Sequence, residues 1–227
     1  MWSTYFAFHS LYYLPTFAAP PAVVALAGGS GAGKNYIADM IKEAFGHELV
    51  STLSHDWYYK DLAHLKIAER LKVNFDHPDA LESSLLLKHI EGLRLGQSIH
   101  APVYDFESCC RCGAIRIAPA PLILVDGVLL LAEPDLAKVF DLRVYLDTPS
   151  DIRLLRRIKR DIAERGRSLE SIMRQYEKTV RPMHKRFVEP SKARADVIVS
   201  DTDLGSVNRL LHVVAAMTGL SLKGAER

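Results

Sequence analysis

The 227-residue sequence predicts an α/β fold, a single domain built on an open parallel sheet. Three observations carry that reading. The stretch 22–45, AVVALAGGSGAGKNYIADMIKEAF, passes from a continuous apolar run through a glycine-rich turn into helical periodicity. Further apolar runs at 48–54, 121–131, 142–147 and 196–200 read as strands, and helical patterns fall between them. The composition, 48% hydrophobic and 25% charged, is that of an ordinary globular core.

The first strand, Ala22 to Ala27, is continuous rather than alternating, as expected of a strand covered on both faces. It ends in Gly28-Gly29-Ser30-Gly31-Ala32-Gly33-Lys34, after which Ile37, Met40, Ile41, Ala44 and Phe45 fall on one helical face. Strand, G-x-x-x-x-G-K and helix in that order make a phosphate cradle, the P-loop. Glycine torsions turn successive N–H groups inward, the helix N-terminus adds partial positive charge, and Lys34 reaches the outer phosphates. The sequence therefore predicts binding of a nucleoside triphosphate. The next position usually carries Ser or Thr to hold Mg²⁺ and here is Asn35, whose amide oxygen is also a hard ligand.

Net charge of +2 gives no general attraction to nucleic acid or anionic membrane. Cys109, Cys110 and Cys112, bunched and odd in number, imply no disulfide framework, so a reducing, cytoplasmic setting is expected. The aromatic-rich start, with no Lys or Arg among its first twenty residues, suits neither a secretory signal nor a membrane span. We divide the chain into an N-terminal extension (1–20), one domain (21–220) and a tail (221–227).

Glu48 to Ser54 leads directly into His55-Asp56-Trp57-Tyr58. A carboxylate just past the C-terminal end of a strand faces the ligand crevice of an open α/β sheet. Asp56 is thus a candidate proton acceptor in phosphoryl transfer, or a helix N-cap before an aromatic turn. In Asn74-Phe75-Asp76-His77-Pro78-Asp79-Ala80, Asp79 is expected to cap a helix closed by Gly96, leaving Asp76 free for a ligand. The runs 99–106 and 113–118, joined through Glu107 to Cys112, read as a hairpin of about 99–118 outside the main sheet. Tyr104 on it could stack on a flat ligand. The C-C-x-C spacing is not that of a structural zinc site, and an ordinary reduced hairpin tip is the better reading.

Pro121 to Leu131 (PLILVDGVLLL) is the most hydrophobic run, interrupted by Asp126. A charge there calls for a compensating cation or water, as in a Walker B carboxylate holding Mg²⁺. A lid of about 149–187 follows: Thr148-Pro149-Ser150-Asp151 has a capping pattern, and Ile152, Leu155, Ile158 and Ile162 form an apolar stripe. Arg153, Arg156, Arg157 and Arg160 fall largely opposite, with Arg165 and Arg167 beyond. Such a face is commonly just solvated; beside a phosphate loop, the arginines can close over a triphosphate. A second lid helix is expected over 169–187, carrying Gln175.

GGSGAGK, DWYYKDL, NFDHPDA, PVYDF, LILVDGVLLL and RRIKRDIAERGR, in that order between about Val23 and Met217, resemble the uridine–cytidine kinase family of P-loop kinases. The resemblance implies a three-layer P-loop NTPase fold with a five-stranded parallel sheet, a β-hairpin over the nucleoside and a helical lid, in homo-oligomers that are typically tetramers. It also implies roles. Asp56 would be the base for the nucleoside 5′-hydroxyl, Asp76 would hold the ribose hydroxyls and Arg167 would contact the nucleoside. Tyr104 would lie against the pyrimidine, Arg157 and Gln175 would make further substrate contacts, and Arg160 and Arg165 would reach phosphates. Asp126 stands where the family usually has Glu, and Asn35 departs at the magnesium position. Cys109 stands where the family's Y-D-F-x-x-H has a histidine that contacts the polar edge of the base.

The activity implied is transfer of the γ-phosphate of ATP or GTP, with Mg²⁺, to the 5′-hydroxyl of uridine or cytidine. Two alternatives stand beside it. One is a related kinase of another small hydroxyl substrate, such as nicotinamide riboside, phosphoribulose or pantothenate. The other is a nucleotide-binding regulatory protein without turnover.

Overall fold

A computed structural model describes residues 19–200 and 204–223. The expected N-terminal extension lies almost wholly outside the described residues, as does the end of the tail. The main sheet is five-stranded and parallel, in the order β2-β5-β1-β6-β7. Its strands are β1 (Ala22–Gly28), β2 (Val50–Ser54), β5 (Leu122–Gly127), β6 (Leu142–Leu146) and β7 (Val197–Val199). Leu26 pairs with Asp126, and Asp126 with Ser54, so the carboxyl ends of three neighbouring strands open on one crevice.

Successive residues of a strand point to opposite faces, and β1 shows it. Val23, Ala25 and Ala27 join Leu53, Val125 and the helix α2 (Ser83–Arg94) through its Leu86, Ile90 and Leu93. Val24 and Leu26 join Leu124, Val144 and the helix α1 (Lys34–Phe45) through Ile37, Ile41 and Phe45. The last helix, α5 (Leu204–Thr218), seals this second face with Val207, Leu210 and Val214. A fully buried Leu or Ile contributes about 1.5–3 kcal/mol relative to exposure. Layers on both faces therefore fix the height of the crevice.

The hairpin β3 (Ile99–Asp105) and β4 (Cys110–Ile117) forms a separate antiparallel sheet with an irregularity between Val103 and Tyr104. Its turn is shorter than the sequence suggests, because Asp105 accepts from the N–H groups of Glu107 (3.2 Å) and Ser108 (3.0 Å). Cys110 and Cys112 consequently lie in β4 rather than in the connection. Asp79 does not cap α2, whose N-cap is Glu82; it sits in a 3-10 turn where its N–H donates to His77 Nδ1.

The lid differs most from expectation. The helix α3 (Ser150–Arg165) is followed by α4 (Leu169–Gln175), which continues through wider turns at Tyr176–Val180 and His184–Val188 to Ser191. On α3 the buried residues are Arg153, Arg157 and Asp161, whereas Ile152, Leu155 and Ile162 are exposed. The polar face points inward because it meets partners there. Nor is α3 capped by a side chain: Pro149 is its N-cap, and Thr148 instead donates from Oγ1 to Ala32 O at 2.9 Å. No helix among the described residues is long and apolar enough to cross a membrane.

Candidate active site

The phosphate loop leaves β1 and enters α1 through backbone torsions that its glycines permit. Gly31 has φ +82°, and a Cβ there would lie 2.4 Å from Arg153 O, so the loop packs on α3 as well. Lys34 folds back over the loop, donating from Nζ to Gly28 O (3.1 Å) and Gly29 O (3.3 Å). Withdrawn from water among these carbonyls, the ammonium has a lowered pKa, while Asp126 and Asp56 oppose that shift by attraction.

Asp56 lies in the 3-10 turn His55–Tyr58 immediately after β2. Its neighbour His55 is fully buried and held by Ser83, whose Oγ lies 3.1 Å from His55 Nε2 and donates to Glu133 Oε1 at 2.7 Å. Ser83 therefore accepts from His55, and burial keeps that imidazole neutral, its pKa brought down to about 4. The chain of hydrogen bonds fixes the backbone from which Asp56 projects. Asp126, at the end of β5, accepts from Ser54 Oγ at 3.3 Å. Burial first, and then the Asp56 charge, push its carboxyl up to about 6, against the pull of Lys34 and the Ser54 hydrogen bond. Lys34, Asp56 and Asp126 thus share one electrostatic neighbourhood built from three elements.

The other predicted ligand groups approach from the lid, hairpin and 74–77 loop. Asp76 accepts from Thr179 Oγ1 at 2.7 Å, which ties that loop to the second lid helix. Burial raises its pKa, opposed by the Thr179 hydrogen bond and by Arg157 and Arg167. Arg157, 6% exposed, donates from Nη1 to Ser30 Oγ (3.0 Å) and from Nη2 to Gln175 Oε1 (2.9 Å). Arg167 donates to the same Gln175 oxygen. The Arg165 guanidinium lies 4.3 Å from the ring centroid of Phe106 at the hairpin tip. Lid and hairpin therefore meet across the crevice. A cavity of about 430 Å³, between Thr148, Arg153, Tyr176 and His184, borders the phosphate loop where Arg153 and His184 lie against Gly29, and none of the predicted site residues line it.

Three predicted residues sit differently. Asn35 is exposed on the first turn of α1. Tyr104 is 7% exposed, and its ring packs against Tyr59 (5.2 Å between centroids) and Phe106 (5.4 Å) rather than presenting an open face. Cys109 is buried at the turn with φ +55°, its thiol 3.7 Å from Phe106 O. Sequence reasoning missed Thr179, Phe106 and Asp161. For Asp161 a signal existed: it lies four residues after Arg157 and beside Arg160, the spacing of helical ion pairs.

Residues 23–207 match the model of the phosphoribulokinase/uridine kinase family. A uridine kinase of Chloroflexus aurantiacus is 48% identical over 179 residues, covering 78% of this chain and 86% of that protein. A uridine kinase of Geobacillus kaustophilus is 46% identical over 204 residues, covering 89% and 97%. Among solved structures, the phosphoribulokinase of Rhodobacter spheroides is similar with a TM-score of 0.59 at 15% identity, over 81% of this chain and 73% of that one, a likeness of fold.

Proposed function

The chain belongs to the phosphoribulokinase/uridine kinase family, and we propose that within it this protein is a nucleoside kinase that phosphorylates the 5′-hydroxyl of uridine or cytidine. The observation that carries the reading is the convergence of Lys34, Asp56 and Asp126 at the mouth of the sheet, with Asp76 beside them. The identity to uridine kinases over most of the chain supports the acceptor.

In this reading Asp76 holds the ribose, and Asp56 accepts the proton of the 5′-hydroxyl as that oxygen attacks the γ-phosphorus of ATP or GTP. The new P–O bond forms as the bond to the β-phosphate oxygen breaks, leaving UMP or CMP and a nucleoside diphosphate. Lys34 turns from the Gly28 and Gly29 carbonyls to the outer phosphates, and Arg160 and Arg165 meet the charge that develops. Asp126 fits a Mg²⁺ site, since a half-buried carboxyl whose pKa is pushed up to about 6 is one that a cation would keep ionised. Asn35 would be its second protein ligand, and the ion would supply charge neutralisation at the β- and γ-phosphates.

Cys109 favours a second reading, a related kinase with another acceptor, because a thiol is a weak donor to a base edge. The exposed Ile152, Leu155 and Ile162 on α3 support a homo-oligomer, which size-exclusion chromatography with light scattering would detect. The deciding experiment is a Mg²⁺-dependent ATP turnover assay over uridine, cytidine, adenosine, nicotinamide riboside, ribulose 5-phosphate and pantothenate. We expect turnover with uridine or cytidine, and its loss in Asp56→Asn by about 10²–10⁴-fold with ATP binding retained. Turnover confined to another acceptor overturns the pyrimidine assignment. ATP binding without any turnover points to the regulatory alternative.

A further inference from the structure

Asp161 is fully buried on α3, in the middle of the basic lid, and four guanidinium groups share its carboxylate. Oδ1 accepts from Arg160 at Nε (2.9 Å) and Nη2 (2.7 Å), and Arg165 Nε lies 3.8 Å from the same oxygen. Oδ2 faces Arg157 Nε at 3.5 Å and Arg167 Nη1 at 3.6 Å. The main chain converges too: Asp161 O accepts from the N–H of Gly166, which closes α3 in a left-handed conformation, and from that of Arg167 at 3.1 Å. Asp161 thus lies at the common centre of the four guanidiniums and of the turn that leads to Arg167.

The two oxygens face different pairs of arginines. Those on Oδ1, Arg160 and Arg165, are the arginines assigned to phosphates. Those on Oδ2, Arg157 and Arg167, both continue to Gln175, and Arg157 also reaches Ser30 of the phosphate loop. The Asp161 charge alone does not neutralise four guanidiniums, and Asp76 and Asp56 act on Arg157 and Arg165 from other elements. Asp161 Oδ2 and Arg157 Nε are also buried without a hydrogen bond, held at ion-pair distance only. Arginines grouped in this way are oriented without being saturated. A buried carboxylate with no solvent contact would be costly without such partners, which explains why α3 turns its polar face inward.

We propose that Asp161 is a positioning residue that gathers the lid arginines beside the phosphate loop, Oδ1 holding Arg160 with Arg165 and Oδ2 facing Arg157 and Arg167, so that they meet the donor phosphates. The proposal rests on the reading of the loop as a triphosphate site and not on the identity of the acceptor.

The test is a double-mutant cycle on ATP affinity in the presence of Mg²⁺, measured by calorimetry on the full chain, with thermal unfolding recorded for each variant. Asp161→Asn and Arg160→Gln are each expected to weaken ATP binding by about tenfold to a hundredfold, the scale of a lost charge-assisted hydrogen bond. The double variant is expected to be no weaker than the stronger single one within about threefold, because both remove the same interaction. Asp161→Glu, which keeps the charge and displaces it by one methylene, should fall between wild type and Asp161→Asn. Full multiplication of the two single losses, or wild-type affinity in Asp161→Asn, overturns the proposal. Should Asp161→Asn fail to fold, Asp161→Glu carries the test: weakened ATP binding at an unchanged melting temperature supports it, and wild-type binding overturns it. Absence of turnover in the wild type with every acceptor would defeat the kinase reading and leave this binding cycle intact.

Discussion

Arg157 and Ser30 are 127 positions apart in sequence and 3.0 Å apart in space, joined by a hydrogen bond from Arg157 Nη1 to Ser30 Oγ. The phosphate loop is therefore latched to the lid helix, and the same guanidinium reaches Gln175 on the second lid helix. In Arg157→Lys the charge stays, but the fork that spans Ser30 and Gln175 is lost. We expect kcat/KM to fall by about tenfold to a hundredfold, with KM raised for both substrates, as steady-state kinetics would record.

Cys109 occupies a left-handed backbone position, where histidine is tolerated several times more readily than most residues. Cys109→His keeps a residue that tolerates positive φ but overfills a buried site, so its melting temperature should fall. If a pyrimidine edge lies there, the variant should gain about 1–3 kcal/mol in kcat/KM for uridine or cytidine over purine nucleosides. Cys109→Val, β-branched at positive φ, should instead cost about 1–2 kcal/mol of stability in denaturant unfolding.

Asp126 carries a pH dependence of definite sign. Its folded-state pKa, about 6, lies above the unfolded value of 3.8, so ionising it penalises the folded state. The penalty is fully present above pH 6, shrinks as pH falls through 6, and is gone below 3.8. Asp126→Asn should therefore stabilise the ligand-free protein at pH 8 by at most about 3 kcal/mol, with the difference vanishing near pH 4. Thermal unfolding of both proteins across that range measures it. Activity should be lost in the variant.

A Cβ added to Gly127 would lie 2.6 Å from His55 Cβ and 2.9 Å from Leu130 Cγ. Gly127→Ala should destabilise by about 1–3 kcal/mol, as overpacking of a close-packed core does. It should also lower kcat, because the residues forced apart carry Asp56 on one side and Asp126 on the other. Chemical denaturation and turnover of the one variant test both parts.

Legibility followed distance along the chain. The phosphate loop could be read because all its determinants lie within 22–45, where local torsion, helix polarity and one lysine suffice. Asp56 and Asp126 could be placed because each directly follows or ends an apolar strand. The hairpin was visible as two runs, but its turn was misjudged, since the Asp105 side chain closes it earlier than composition suggests. Thr179 gave no signal, because its meaning lies in Asp76, 103 positions away.

The sequence by itself determined the α/β class, the strand order of chemistry along the chain and the phosphate-binding loop, since periodicity and glycine placement are local properties. Only the tertiary structure decided which face of α3 points inward. An amphipathic pattern defines two faces but not which one is buried, and here Arg153, Arg157 and Asp161 are buried while Ile152, Leu155 and Ile162 are exposed. Burying charge is favourable only where partners compensate it. Some of those partners, Ser30 and Gln175 among them, come from elements that folding alone brings together.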